Sequence, residues 1–142
     1  MNISFLKRKS ITMRKKIFEK FYLLKEGHPG SVMSLMDILV VLYYSGFVRM
    51  KKQNKKYPFK DDIIVSKGHA TVGQYPILHD LKVISSKDWN NWGVNKKTCL
   101  RMFGNNSIPG IKTATGSLAH GIGFGTGIGF AAKRKKIDKR IY

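Results

Sequence analysis

Three observations predict an α/β fold. Residues 10–26 carry an amphipathic helical pattern, with Ile17, Phe21 and Leu24 at i, i+4 and i+7 and Lys15, Lys16, Lys20 and Lys25 on other faces. A second helix is predicted over 34–44, where Leu35, Met36 and the run from Ile38 to Tyr43 make it apolar all round, the pattern of a buried helix. After them comes a short run of β-formers, Ile63-Ile64-Val65, broken by Ser66-Lys67-Gly68-His69. Ligands collect at the carboxyl ends of strands in open α/β sheets. A histidine delivered there behind a glycine is a candidate site residue, although a solvated turn fits the same residues.

Each element has its own local justification. Gly27 ends the first helix and Pro29-Gly30 confirms the break, which leaves His28 in a loop. Ser34 reads as the N-cap of the second helix, and Asp37 as a group that caps its first turn rather than a catalytic acid. Residues 46–60 read as an exposed basic loop ending in Tyr57-Pro58-Phe59. Residues 73–83 read as a helix with Pro76 in its first turn. Ser85 or Ser86 caps a short helix that includes Trp89 and Trp92, and residues 93–110 are irregular. From 113 to 132 glycines alternate with apolar residues, as in a strand. Yet Gly121, Gly125 and Gly129 also fall at i, i+4 and i+8, a smooth helical face. Each helical glycine costs about 1 kcal/mol against alanine, so such a helix needs close contact with a neighbour. No G-x-G-x-x-G frame fits.

Length and composition bound the function. A chain of 142 residues, 42% hydrophobic, is one domain or a piece of one and can bury a core. Its 27 Lys and Arg against 8 Asp and Glu give a net charge of +19, which favours anionic partners: nucleic acid, membrane headgroups or phosphorylated small molecules. Most of the surplus is lysine, a poorer reader of bases than arginine, and much of it lies in solvated runs such as Lys133 to Lys136. Nucleic-acid binding therefore rests on charge alone. Cys99 stands alone, so no intrachain disulfide forms and a reducing compartment, the cytoplasm, is expected. No membrane association is expected: the start lacks an apolar signal stretch, and Ser117 to Ala132 is too short and glycine-rich to span.

Four motifs occur in order: Gly27-His28-Pro29-Gly30, Ser34 to Tyr44 with Asp37-Ile38-Leu39, Ser66-Lys67-Gly68-His69-Ala70, and Pro109-Gly110-Ile111 running into Thr115-Gly116-Ser117-Leu118-x-x-Gly121. Together they resemble the N-terminal, diphosphate-binding domain of transketolase, over nearly the whole chain from about Ile11. The resemblance implies one domain, 1–142, with a partial thiamine-diphosphate-binding fold. Its parallel sheet is flanked by helices and incomplete at the C-terminus. It also implies ketol transfer between phosphorylated sugars, in pentose phosphate and wider carbohydrate metabolism, with thiamine diphosphate and Mg²⁺ as cofactors. By position, His28 matches the histidine that contacts the sugar donor. His69 matches one beside the thiamine diphosphate and the substrate entrance, and both count as catalytic. Gly116, Ser117 and Leu118 match the loop that touches the cofactor. The chemistry agrees, because imidazole donates or accepts hydrogen bonds near neutral pH and a Gly-Ser turn before a helix offers backbone N–H groups.

The departures define what is expected of the chain alone. Asn105 stands where the family has another active-site histidine, and amide nitrogen does not move protons at neutral pH. His120 stands where the family has Gln or His. The family's Gly-Asp-Gly metal motif and its activating glutamate have no counterpart, so no metal ligand is assigned within the chain. The resemblance thus implies an N-terminal fragment or subunit that works with a C-terminal transketolase portion, as a homo- or hetero-oligomer. The alternatives are an inactive truncated copy and a basic module reusing the fold on nucleic acid.

Overall fold

The computed structural model describes residues 2–51, 58–92, 108–111, 113 and 116–142. Helix α1 spans Ile3–Leu24 and α2 spans Pro29–Tyr44. A 3-10 segment, Gly68–Gln74, runs directly into α3, Tyr75–Asp80. Helix α4 is Ser86–Asn91 and α5 is His120–Arg134. The predicted stretch 93–110, with Cys99 and Asn105, lies outside the described residues as far as 107, as do residues 52–57 of the basic loop.

Helix α1 begins well before residue 10. Asn2 caps it, Oδ1 accepting the Phe5 N–H at 3.0 Å, and the buried stripe reaches back through Met13 and Ser10 to Leu6. The helix ends at Leu24, with Lys25 in the left-handed region as its cap. Gly27 lies beyond, at φ 137°, where an added Cβ would come within 2.3 Å of the Phe21 ring. Its role is close approach, not capping.

Helix α2 starts at Pro29 with His28 as N-cap, not at Ser34. Proline pre-sets φ for the first helical turn, which moves the start five residues upstream of the predicted cap. Ser34 is inside the helix and donates to the Ser31 carbonyl at 3.0 Å. Asp37 caps nothing. Both its oxygens accept from the Arg14 guanidinium of α1 at 2.9 Å, and Arg14 also donates to the Met33 carbonyl at 3.0 Å. Arg14 and Ser10 together hold the Asp37 carboxyl at about 2, below its usual 3.8. Nor is α2 buried all round. Val32, Met36, Leu39, Val40 and Tyr43 face the core, while Ile38 is 58% exposed.

The core forms where α2 meets α1 and the 68–78 stretch. Helical turns begin at Gly68 rather than Gly73, and every residue from Ala70 to Leu78 is buried. Tyr43 Oη donates to Gln74 Oε1 at 2.8 Å inside this core, so the buried amide oxygen is satisfied. Tyr75 meets Trp92 edge-on at 5.2 Å, and Trp89 stacks on His79 at 5.1 Å. Ser85 caps α4 by accepting the Asp88 N–H at 3.0 Å; Trp92 falls just past the helix end.

The parallel sheet is the expectation that the structure does not show. Among the described residues, strand pairing is confined to an antiparallel bridge, Met50 with Phe59, and a parallel bridge, Asp62 with Ile141. Three bonds carry the parallel pairing: Asp62 N–H to Arg140 O (3.0 Å), Tyr142 N–H to Asp62 O (2.9 Å) and Ile64 N–H to Tyr142 O (2.9 Å). The partner segment extends only from Arg140 to Tyr142, too short for a ladder of successive bridges. The 46–60 stretch is not wholly exposed either, because Val48 and Phe59 are buried around the antiparallel bridge. Side chains still alternate across 63–65. Ile63 and Val65 pack with the helical core, and Ile64 faces α5.

Ion pairs hold this segment. Asp61 is buried and accepts from Arg49 Nη2 (2.6 Å), Nε (2.8 Å) and backbone N–H (2.9 Å), and from the Arg140 N–H (2.9 Å). Burial pushes the Asp61 carboxyl up, but these donors outweigh it and hold the group well below the usual carboxylate range. Lys139 Nζ donates to Asp62 at 2.8 Å, and Arg49 Nη1 reaches Asp138 at 2.8 Å.

This packing can be tested at two points. Asp37 and Asp61 bind fewer protons folded than unfolded, so stability rises with pH across their titration. The melting temperature should be level down to about pH 5 and fall progressively toward about pH 2. R14M, which frees Asp37 to titrate normally, should flatten part of that fall; an acid-insensitive wild type contradicts the clamps. The second test concerns α5. An added Cβ at Gly121 would meet Ser66 Cα at 2.7 Å, whereas at Gly123 it meets open space. G121A should therefore loosen α5 from Ser66, raising amide exchange along the helix. G123A should stabilise the helix by about 1 kcal/mol. Equal effects of the two would contradict the contact.

Candidate functional site

Two histidines distant in sequence converge. His28, exposed at the start of α2, and His69, half-buried in the first turn of the 3-10 segment, pack edge to face with ring centroids 4.6 Å apart. His28 is fixed by its place ahead of Pro29, its carbonyl taking the Val32 N–H at 3.2 Å. His69 is fixed by the tight turn after Lys67, whose carbonyl takes the Ala70 N–H at 2.8 Å. Two imidazole rings at this spacing present nitrogen donors and acceptors to one small polyhydroxylated ligand.

The third predicted element reaches the same neighbourhood through Ser66. The Ala119 N–H donates to the Ser66 carbonyl at 3.2 Å, and Gly121 lies against Ser66 Cα. Gly116, Ser117 and Leu118 immediately precede this contact and are all exposed, Leu118 by 63%. Ala119, at φ 69°, turns the chain into α5, and no side chain caps the helix. Thr115 lies outside the described residues. A cleft of about 590 Å³ lies between α2 and the 63–67 segment, lined by Leu35, Ile38, Ile63, Ser66, Lys67 and Ile122 among others.

Ser66 is a site residue that the motifs alone do not single out. Its carbonyl joins the loop ahead of α5 to the His69 turn, and its Oγ is buried without a hydrogen-bond partner among the described residues. Its place in Ser66-Lys67-Gly68-His69 is the signal that points to it. Asp37 and His120 take no part in the histidine pair: Asp37 is bound to Arg14, and His120 is exposed in the first turn of α5.

Residues present fit one side of a thiamine diphosphate site. An uncapped helix start, an exposed leucine and a glycine with open space around it suit a ligand that takes backbone N–H bonds and apolar contact. The orphaned Ser66 Oγ adds a polar group close by. The carboxylates fit a metal poorly. Asp61 and Asp62 are occupied by Arg49 and Lys139, and among the described residues no three His, Cys, Asp or Glu side chains gather to hold an ion.

No helix among the described residues is long and apolar enough to cross a membrane. Residues 9–140 match the family described as transketolase, thiamine diphosphate binding domain. One of the subunits of the apulose-4-phosphate transketolase of Phocaeicola vulgatus is 31% identical over 142 residues, 100% of this chain and 50% of that protein. Transketolase 1 of Aliivibrio fischeri is 34% identical over 112 residues, 75% of this chain and 16% of that protein. Transketolase-like protein 2 of Mus musculus is 31% identical over 117 residues, 82% of this chain and 18% of that protein. The chain thus spans half or less of the length of these relatives. With its motif histidines paired in space and a family match over 9–140, the chain belongs to the transketolase family, within its thiamine diphosphate binding domain.

Proposed function

We propose that the chain is the cofactor-side part of a transketolase assembled from more than one polypeptide, one that moves two-carbon ketol units between phosphorylated sugars. The observation that carries this reading is the contact of His28 with His69, 4.6 Å between ring centroids, beside a loop anchored on Ser66. The name of the Phocaeicola relative, which describes one of several transketolase subunits, supports the multi-chain form.

In this reading His28 binds and orients the hydroxyl groups of the sugar donor. His69 borders both sugar and cofactor and can hold or pass a proton at a ring nitrogen. Gly116 and Ser117 offer backbone N–H groups to the cofactor, and Leu118 supplies apolar contact. When bound, thiamine diphosphate supplies the electron sink for the two-carbon unit. Mg²⁺ and the activating carboxylate come with the partner portion. The basic surface draws phosphorylated sugars inward. The reaction belongs to carbohydrate metabolism of the pentose phosphate kind, in the cytoplasm.

The isolated chain should neither bind Mg²⁺–thiamine diphosphate tightly nor transfer ketol units. Calorimetry on the purified chain checks this, and sub-micromolar binding would overturn the need for a partner. Joined to a polypeptide carrying the rest of a transketolase, the chain should gain activity. H28A should then lower kcat/KM for the donor about a hundredfold. Salt-sensitive binding of DNA or RNA, with no response to thiamine diphosphate in the assembled pair, would count for a nucleic-acid module instead.

A further inference from the structure

Helix α5 is poorly covered for its composition. Only Gly121 and Ala132 of its residues are buried. Ile122, Phe124 and Phe130 are 68%, 50% and 67% exposed. Glycine occupies positions 121, 123, 125, 127 and 129 of the helix, and each costs about 1 kcal/mol against alanine. A helix of such low propensity depends on packing for its stability. Large apolar side chains gathered on it in water mark a contact surface. The surface continues into the cleft beside α2, which Ile38 and Ile122 both line.

Charge identifies what covers it. From Gly116 to Ile137 the chain contains no acid, and α5 leads into Lys133-Arg134-Lys135-Lys136, all exposed and without ion pairs among the described residues. The acids elsewhere are committed: Asp37, Asp61, Asp62, Asp80 and Asp138 are all in ion pairs with the chain's own cations. A second copy would bring another net +19 and the same four cations against this surface. Like charges brought together across an interface disfavour that pairing.

We propose that the exposed apolar surface of α5, with the basic run at its end, docks an acidic polypeptide: a different chain whose apolar ridge is flanked by carboxylates. The inference deepens the multi-chain reading above and rests on it for the partner's identity.

The test uses the full chain and a labelled amphipathic peptide of about 20 residues, with Leu and Phe on one face and Glu elsewhere. At about 150 mM salt, the Glu peptide should bind and a Gln-for-Glu version should bind at least tenfold more weakly, about 1.4 kcal/mol. Both I122Q and F130Q change exposed side chains and keep the charge constant. Each should weaken binding about tenfold without shifting the melting temperature. No peptide binding overturns the proposal. So does equal displacement by heparin with no effect of I122Q or F130Q, which would leave charge alone. A homodimer in sedimentation that excludes the peptide would overturn it too, by assigning the surface to a second copy. Peptide binding needs neither sugar nor cofactor, so a failure of ketol transfer and a failure of docking are read separately.

Discussion

A buried carboxylate, Asp61, sets the geometry on which the rest of the molecule depends. An ionised aspartate persists inside a protein only when donors surround it. Here the donors come from distant stretches: the guanidinium and N–H of Arg49, and the N–H of Arg140. Arg49 reaches on to Asp138, and Asp62 next door holds Lys139. Chain segments near 49, 61 and 140 are therefore tied together with little sheet to do it. The path by which Ile63-Ile64-Val65 leaves this knot decides where Ser66 and His69 stand.

From that point the site assembles through two kinds of constraint. Ile63 and Val65 anchor the segment to the helical core, while Ile64 and Ser66 meet α5 across Gly121. The second constraint is torsional. Pro29 fixes the start of α2 and so the place of His28, and the long 3-10 segment fixes His69. The two histidines meet because the core under them is tightly packed. Val32 and Leu39 of α2 lie within 3.4 Å of the Cβ position of Gly73 in the 3-10 segment. The loop of Gly116 to Leu118 is held by the backbone bond from Ala119 to Ser66 and by the close contact of Gly121.

How much of this is legible in the sequence follows the range of the forces involved. The helices at 10–26 and 34–44 are legible because an apolar stripe is a local signal, and the histidines because their turns carry Gly and Pro. The loop after Thr115 is legible by motif. Asp37 reads as a cap only because its partner, Arg14, lies on another helix, and no local rule connects residues 23 apart. Ser34 reads as a cap only while Pro29 is given too little weight. The sheet is overestimated, since a run of β-formers specifies a strand's propensity but not the presence of a neighbour to pair with. The alternation over 113–132 allows strand or helix; close approach to Ser66 is a tertiary contact, and it sides with the helix.

The same acids that build the fold limit its chemistry. Asp61 and Asp62 stand near the carboxyl-end site, where a metal-binding enzyme would keep carboxylates. Turning either toward a cation would leave Arg49 or Lys139 without its partner at a buried position. With Asp37 and Asp80 likewise bound to Arg14 and Lys9, these carboxylates serve the architecture. What the chain presents outward is imidazole, backbone N–H and lysine, groups that receive hydroxyls and phosphates but do not bind a divalent cation together with a diphosphate. In this fold the diphosphate side of the site is shaped by residues whose acids are already engaged in holding it in place.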